Sequence, residues 1–79
     1  MNLYLLAGTA SGYDTYDSCV VAAISEEVAR TIHPNDTNNK WTWTNDDWAA
    51  SAESVAAKLI GTALVGTAQG SICSSFNAG

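Results

Sequence analysis

Two short apolar runs near the N-terminus constrain the fold more than any other feature of the sequence. Residues 3–7, LYLLA, are bounded by Gly8 and Gly12, and residues 18–24, SCVVAAI, repeat the same apolar character. Apolar runs of this length between turn residues are typical of strands that are buried on at least one face. We therefore predict that the two runs pair as an antiparallel hairpin, joined by the turn-rich stretch SGYDTYDS at Ser11–Ser18.

A short helix is predicted to follow the second run, over Ser25 to Ile32. Ser25 suits the N-cap position, and two glutamates follow it, where carboxylates complement the helix dipole. Pro34 ends the helix just after His33. Three apolar residues recur at helical spacing and would cover one face of the hairpin, namely Val28, Ala29 and Ile32.

The second half of the chain gives a less uniform signal. Residues 34–45 are polar and turn-rich, and a short helix through DDWAAS is predicted near Asp46. Ser54 to Thr62 fits both a helical stripe and strand alternation, and periodicity alone slightly favours a helix. The last stretch, GSICSSFNAG, alternates apolar and polar residues and is predicted to be a terminal strand.

Charge and length exclude several classes of function. The net charge is −5 with only three basic residues, which makes direct binding of nucleic acid by phosphate neutralisation a poor candidate. No run approaches the roughly 20 apolar residues of a membrane span, and no basic stretch precedes the first apolar run, so we expect neither a span nor a secretion signal. A single domain of 79 residues buries little surface, so we expect support from a homo-oligomer.

The cysteines and the single histidine indicate no metal site or cofactor. Cys19 and Cys73 lie in apolar stretches, which is typical of buried intracellular thiols, although a bridge is possible if their strands are neighbours. With one histidine and no close cysteine pair, the sequence predicts no metal site.

Catalytic motifs are not found in the chain. Gly61 and Gly66 have the spacing of a phosphate-binding loop, but Thr67 stands where that loop requires lysine. Asp14 and Asp17 could act as an acid and base pair, although in a glycine-rich loop carboxylates at this spacing more often shape the turn. We therefore expect a protein that is not an enzyme.

Aromatic and polar residues outside the predicted core are the candidates for binding. His33 either complements the carboxyl end of the helix or contacts a ligand near the tyrosine-rich stretch, if the two converge. Tyr13 and Tyr16 are expected to make the contacts while the aspartates shape the loop, and this prediction loses its main support if the tyrosines pack inward. A chain this small cannot bury three tryptophans centrally, so Trp41, Trp43 and Trp48 are predicted to close over the sheet or to form a subunit interface.

The motifs GYDTYDSCVV, IHP and SSFNAG together resemble a group of small proteins encoded by tailed bacteriophages. The resemblance covers nearly the whole chain and implies an origin more firmly than a function. Relatives are strand-like where this chain has Ser54 to Thr62, which favours a strand there despite Ala56 and Ala57. It implies a surface made of the motif residues Tyr13, Asp14, Thr15, Tyr16, Asp17, His33, Phe76 and Asn77.

The combined prediction is a single α+β domain over residues 1–79. It has a small antiparallel sheet of about four strands, in the order β-β-α-(short α)-β-β, with one helix packed on one face. The resemblance implies a non-enzymatic phage accessory protein that acts in the host cytoplasm against host defence. It could be an oligomeric sponge that sequesters a nucleotide signal, although the scarcity of basic residues argues against a phosphate-rich ligand. The alternative is an acidic inhibitor that mimics nucleic acid towards a host defence complex.

Overall fold

The fold is an antiparallel four-stranded sheet with one helix against one face. The computed structural model describes residues 1–9, 14–34, 48–49 and 51–77. Its elements in chain order are β1 (Asn2–Ala7), β2 (Thr15–Ala23), α1 (Glu26–Arg30), a 3-10 turn (Ala52–Ser54), β3 (Ala56–Thr62) and β4 (Gly70–Asn77). The strand order in the sheet is β3-β1-β2-β4, and every neighbouring pair is antiparallel. The predicted α+β class and the four-stranded sheet are confirmed.

The β1–β2 hairpin forms the centre of the sheet. Leu6 lies opposite Cys19, and Tyr4 lies opposite Val21. These four side chains share one face because directly opposed residues of an antiparallel pair point the same way. All four are at most 6% exposed, so this is the face that is covered.

Helix α1 covers that face and begins as the sequence predicts. Ser25 is the N-cap, and its Oγ accepts a hydrogen bond from the Val28 amide at 3.2 Å. The helix is shorter than predicted because it ends at Arg30, with Thr31 as the C-cap. Ala29 and Ile32 are fully buried against the sheet.

Trp48 belongs to the core. Its side chain is 0% exposed and packs in the buried cluster with the sheet and helix residues. The end of β1 accommodates it closely, because a Cβ built on Gly8 would lie 2.6 Å from Cε3 of the indole ring. The Thr9 amide also donates a hydrogen bond to the Trp48 carbonyl at 2.9 Å. Of the two alternatives predicted for this tryptophan, closing over the sheet or forming a subunit interface, its burial in the core fits the first.

Three further predictions are decided by the strands. Residues 56–62 form β3, so the choice of strand over helix is confirmed, and β4 confirms the terminal strand. β2 begins at Thr15, three residues earlier than predicted, so the second half of the tyrosine-rich stretch is strand and not turn. The short helix predicted near Asp46 lies outside the described residues.

The cysteines differ from each other in exposure. Both are free thiols, Cys19 buried on β2 and Cys73 exposed on β4, so the prediction that both are buried is wrong for Cys73. Burial, together with the nearby Cys73 thiol, raises the pKa of Cys19 to about 12. Separately, among the described residues no helix is long and apolar enough to cross a membrane.

Candidate functional site

The start of β2 and the end of β4 meet at one end of the sheet and bring the motif residues together. Thr15 pairs with Asn77, and Tyr16 pairs with Phe76. The Asp14 amide donates a hydrogen bond to the Asn77 carbonyl at 2.6 Å, just before β2 begins. We call this set the sheet-end cluster: Asp14, Thr15, Tyr16, Asp17, His33, Phe76 and Asn77.

The Tyr16 ring lies between His33 and Phe76. Its centroid is 5.5 Å from that of His33, with the rings nearly perpendicular, and 4.7 Å from that of Phe76, with the rings tilted by 55°. Both arrangements are within the range of favourable aromatic contacts. The helix end and the tyrosine-rich segment therefore converge, which is the condition under which His33 was expected to join the site.

His33 is buried close to the end of α1. It is 6% exposed, with its ring edge against Tyr16. The Thr31 hydroxyl donates to the Val28 carbonyl at 2.7 Å, and the Thr31 amide donates to the same oxygen at 3.1 Å. Thr31 therefore caps the last turn of the helix, and the His33 ring belongs to the sheet-end cluster.

The exposed aromatic ring of the cluster is that of Phe76, not that of Tyr16. Phe76 is 46% exposed, whereas Tyr16 is half-buried and packs against the hydrophobic core. The inward packing of Tyr16 weakens the prediction that tyrosines contact a ligand. Tyr13, the other tyrosine in that prediction, lies outside the described residues. The ring available for stacking is thus Phe76, with Tyr16 as its support.

The two aspartates occupy different backbone environments. Asp14 has φ of 57°, the left-handed conformation that aspartate tolerates better than most residues, and its side chain is exposed. Asp17 lies on β2 where the pairing with β4 shifts by one residue, as in a β-bulge. Its carboxylate accepts a hydrogen bond from the Ser75 hydroxyl at 3.5 Å. Asp14 therefore lies in a left-handed conformation just before β2, while Asp17 is a strand residue at an irregularity.

Neither Arg30 nor Lys58, the two basic residues in the described part of the chain, belongs to the sheet-end cluster. Arg30 is tied to Glu26 by an ion pair of 2.9 Å, and its Nε donates to the Val55 carbonyl at 3.1 Å. Lys58 lies on β3, at the opposite edge of the sheet from β4. Two exposed carboxylates, those of Asp14 and Asp17, belong to the cluster itself, so it favours hydrogen-bond donors over phosphate groups.

The structure also shows two shallow depressions that the sequence did not indicate. One, of about 190 Å³, lies on the uncovered face of the sheet around Leu5, Val20 and Cys73. The other, of about 220 Å³, lies between α1 and the 3-10 turn and is flanked by Glu27 and Glu53. The segment SICSSF could have indicated the first depression, because it places an exposed cysteine, Cys73, on a strand.

Two of the predicted interface residues, Trp41 and Trp43, lie outside the described residues. No group of three or more histidine, cysteine, aspartate or glutamate side chains that could hold a metal ion occurs within residues 1–9, 14–34, 48–49 and 51–77.

Comparison with known proteins adds no relative. No protein family model, no curated protein and no solved structure matches the chain. A function must therefore be argued from the sheet-end cluster itself.

Proposed function

We propose that the protein is a non-enzymatic binding protein that sequesters a small nucleotide-like ligand at the sheet-end cluster. The observation that carries the proposal is the half-exposed Phe76 ring, which packs against the Tyr16 ring with the centroids 4.7 Å apart. An aromatic ring that is braced in this way offers a flat apolar platform. Asp14, Asp17 and Asn77 lie at the same end of the sheet and carry groups that can form hydrogen bonds.

The chemistry of the cluster suits the base and sugar of a nucleotide. Stacking of a base on an aromatic side chain contributes about 1–3 kcal/mol. Carboxylates accept hydrogen bonds from sugar hydroxyls and exocyclic amines, and a carboxamide both donates and accepts. Asp14 and Asp17 would repel a phosphate-rich ligand, so affinity should decrease as the number of phosphate charges increases.

The resemblance to small phage proteins supplies the biological setting of this proposal. A phage protein that binds a host nucleotide signal without consuming it would lower the free concentration of that signal. We propose that it acts in this way in the cytoplasm of the infected bacterial host, as a counter-defence protein.

A thermal-shift screen tests the binding proposal. The full chain is heated with 3′,5′-cyclic AMP, a cyclic dinucleotide, AMP and ATP in turn. A ligand present at a hundred times its Kd adds about 2.7 kcal/mol to the free energy of unfolding. We expect a cyclic or monophosphate ligand to raise the Tm more than ATP does, and a flat response across the panel would refute the proposal.

Substitution of the platform residue identifies the site. Phe76→Ala should abolish the ligand-induced shift, whereas Phe76→Trp should preserve it because the ring is retained. Leu59→Ala is the matched control, because Leu59 is a 58% exposed apolar residue on the opposite edge strand. If Phe76→Ala responds to the ligand as the unsubstituted protein does, the ligand binds elsewhere.

An acidic inhibitor of a host defence protein is the second candidate. It is favoured by the exposed carboxylates of Glu27 and Glu53, which flank the depression beside α1. Binding of this kind should weaken at high salt because exposed charges are screened. A pull-down from host lysate at low and high salt tests it, with the double variant Glu27→Gln and Glu53→Gln as control. Capture that is unaffected by salt and by these substitutions would exclude charge mimicry.

A further inference from the structure

Strand β4 forms one edge of the sheet, and its outer side faces away from β2. From Ile72 to Asn77 every residue is exposed. Within the described residues no strand pairs with this outer side. An edge strand presents a row of backbone amides and carbonyls that can pair with another chain.

The two edges of the sheet differ in how they resist such pairing. Edge strand β3 carries Lys58, and its register with β1 shifts between Leu3 and Tyr4. A lysine and a bulge are both features that keep edge strands apart. The register of β4 with β2 also shifts, at Ile72 between Ser71 and Cys73, so a bulge does not distinguish the two edges. β4 differs in that it contains no charged residue and no proline, and from Cys73 to Asn77 each of its residues has a partner on β2. β4 is therefore the edge that favours pairing.

We propose that β4 is the surface through which two copies of this chain pair, as antiparallel edge strands related by a two-fold axis at Ser74. This register brings Ile72 of each copy opposite Phe76 of the other, so the two large apolar residues exposed on β4 meet, at 51% and 46% exposure. Such a contact uses the same patch on both copies, so the assembly stops at two chains and forms a closed dimer.

Charge supports a second copy as the partner. Each chain carries a net charge of −5, so two copies repel each other, and this repulsion is weakest where the surface they share carries no charge. β4 is such a surface, because its eight residues are all uncharged. The pairing joins two four-stranded sheets into one sheet of eight strands. Because Phe76 is also the platform of the proposed function, a ligand would compete with the second copy for this ring, and the dimer is therefore tested without ligand.

The oligomeric state in solution tests the proposal directly. An interface of one strand pair is small, so we expect a reversible dimer whose mass rises with concentration between about 10 and about 500 µM in sedimentation equilibrium. Ser74→Lys should give a monomer, because it places two ammonium groups at the axis. Ala56→Lys, at an exposed position on β3, is the matched control and should leave the dimer intact. Both variants should melt as the unsubstituted chain does.

A cross-linking experiment tests the register. Position 74 lies opposite Cys19 of the same chain, so both native cysteines are removed in a Cys19→Ala, Cys73→Ser background. There Ser74→Cys places two thiols from the two copies opposite each other, at the Cβ separation of about 4.5–5.5 Å of facing residues. Diamide should oxidise these thiols to one intermolecular disulfide, and diamide itself takes up the two electrons and two protons. Ala56→Cys in the same background should stay monomeric. A monomeric unsubstituted chain at every concentration, an equal effect of the two lysine variants, or cross-linking only through position 56 would overturn the proposal.

Discussion

Substitution of Gly8 by alanine is the sharpest test of the core geometry. A Cβ at this position would lie 2.6 Å from Cε3 and 2.9 Å from Cζ3 of Trp48. Real Cβ atoms essentially never approach that closely, so the indole ring or the end of β1 must move. Trp48 is fully buried, and the Thr9 amide ties the end of β1 to its carbonyl, so neither group can shift without disturbing the other.

The expected cost of Gly8→Ala follows from overpacking. Adding a methyl group to a well-packed core typically costs about 1–3 kcal/mol, and we expect the upper part of that range because the clash involves a rigid ring. For 79 residues the unfolding entropy is about 0.17 kcal/mol/K, so each 1 kcal/mol lowers the Tm by about 6 °C. Gly8→Ala should therefore lower the Tm by roughly 10 to 20 °C.

Gly61→Ala provides the matched control. Gly61 lies on β3, and a Cβ there would meet nothing within 4 Å. Because alanine reduces the freedom of the unfolded chain, this substitution should be neutral or stabilise by about 0.4–1 kcal/mol. Urea unfolding followed by far-UV circular dichroism measures both variants. If Gly8→Ala is as stable as Gly61→Ala, Trp48 does not pack against the end of β1.

Three further predictions concern the thiols and the helix. At pH 8 a maleimide should label one thiol per folded chain, and Cys73→Ser should abolish that labelling because Cys19 is 2% exposed with its pKa raised to about 12. Since the folded chain keeps this proton up to a higher pH than the unfolded one, the free energy of unfolding should fall between pH 9.0 and pH 12, by up to about 1.4 kcal/mol per pH unit. Cys19→Ala should remove that part of the slope, and an unchanged alkaline profile would contradict the assignment. Ser25→Ala should lose about 1 kcal/mol through loss of the N-cap, whereas Ser25→Asp should retain most of it, and equal losses in chemical denaturation would show that the hydrogen bond to Val28 does not matter.

The local part of the fold was predictable because its signals are local. Ser25 is an N-cap by virtue of its own side chain, and the apolar stretches at 3–7 and 18–24 are strands by their own composition. The start of β2 at Thr15 was missed because its pairing partner is Asn77, which lies 62 residues further along the chain. Turn-forming residue types dominate the local sequence there, and strand pairing overrides them.

The candidate site shows the same division. The motif residues could be named from the sequence, but their roles depend on packing. Tyr16 supports Phe76 because the pairing of β2 with β4 sets one ring beside the other, whereas composition alone made the tyrosine the more attractive contact residue. The sequence indicates no role for Ser75, whereas in the structure its hydroxyl donates a hydrogen bond to the Asp17 carboxylate.

By itself the sequence determined the hairpin, the helix start, the terminal strand and the acidic character of the chain, since each depends on neighbouring residues or on composition. The tertiary structure decided that residues 56–62 form a strand, because pairing with β1 supplies hydrogen bonds that periodicity cannot reveal. It also decided that Trp48 is core, that Cys73 is exposed and that Phe76 is the open ring of the cluster. Burial depends on what packs over a side chain, and that neighbour can lie far away in the chain, as Gly8 and Trp48 do.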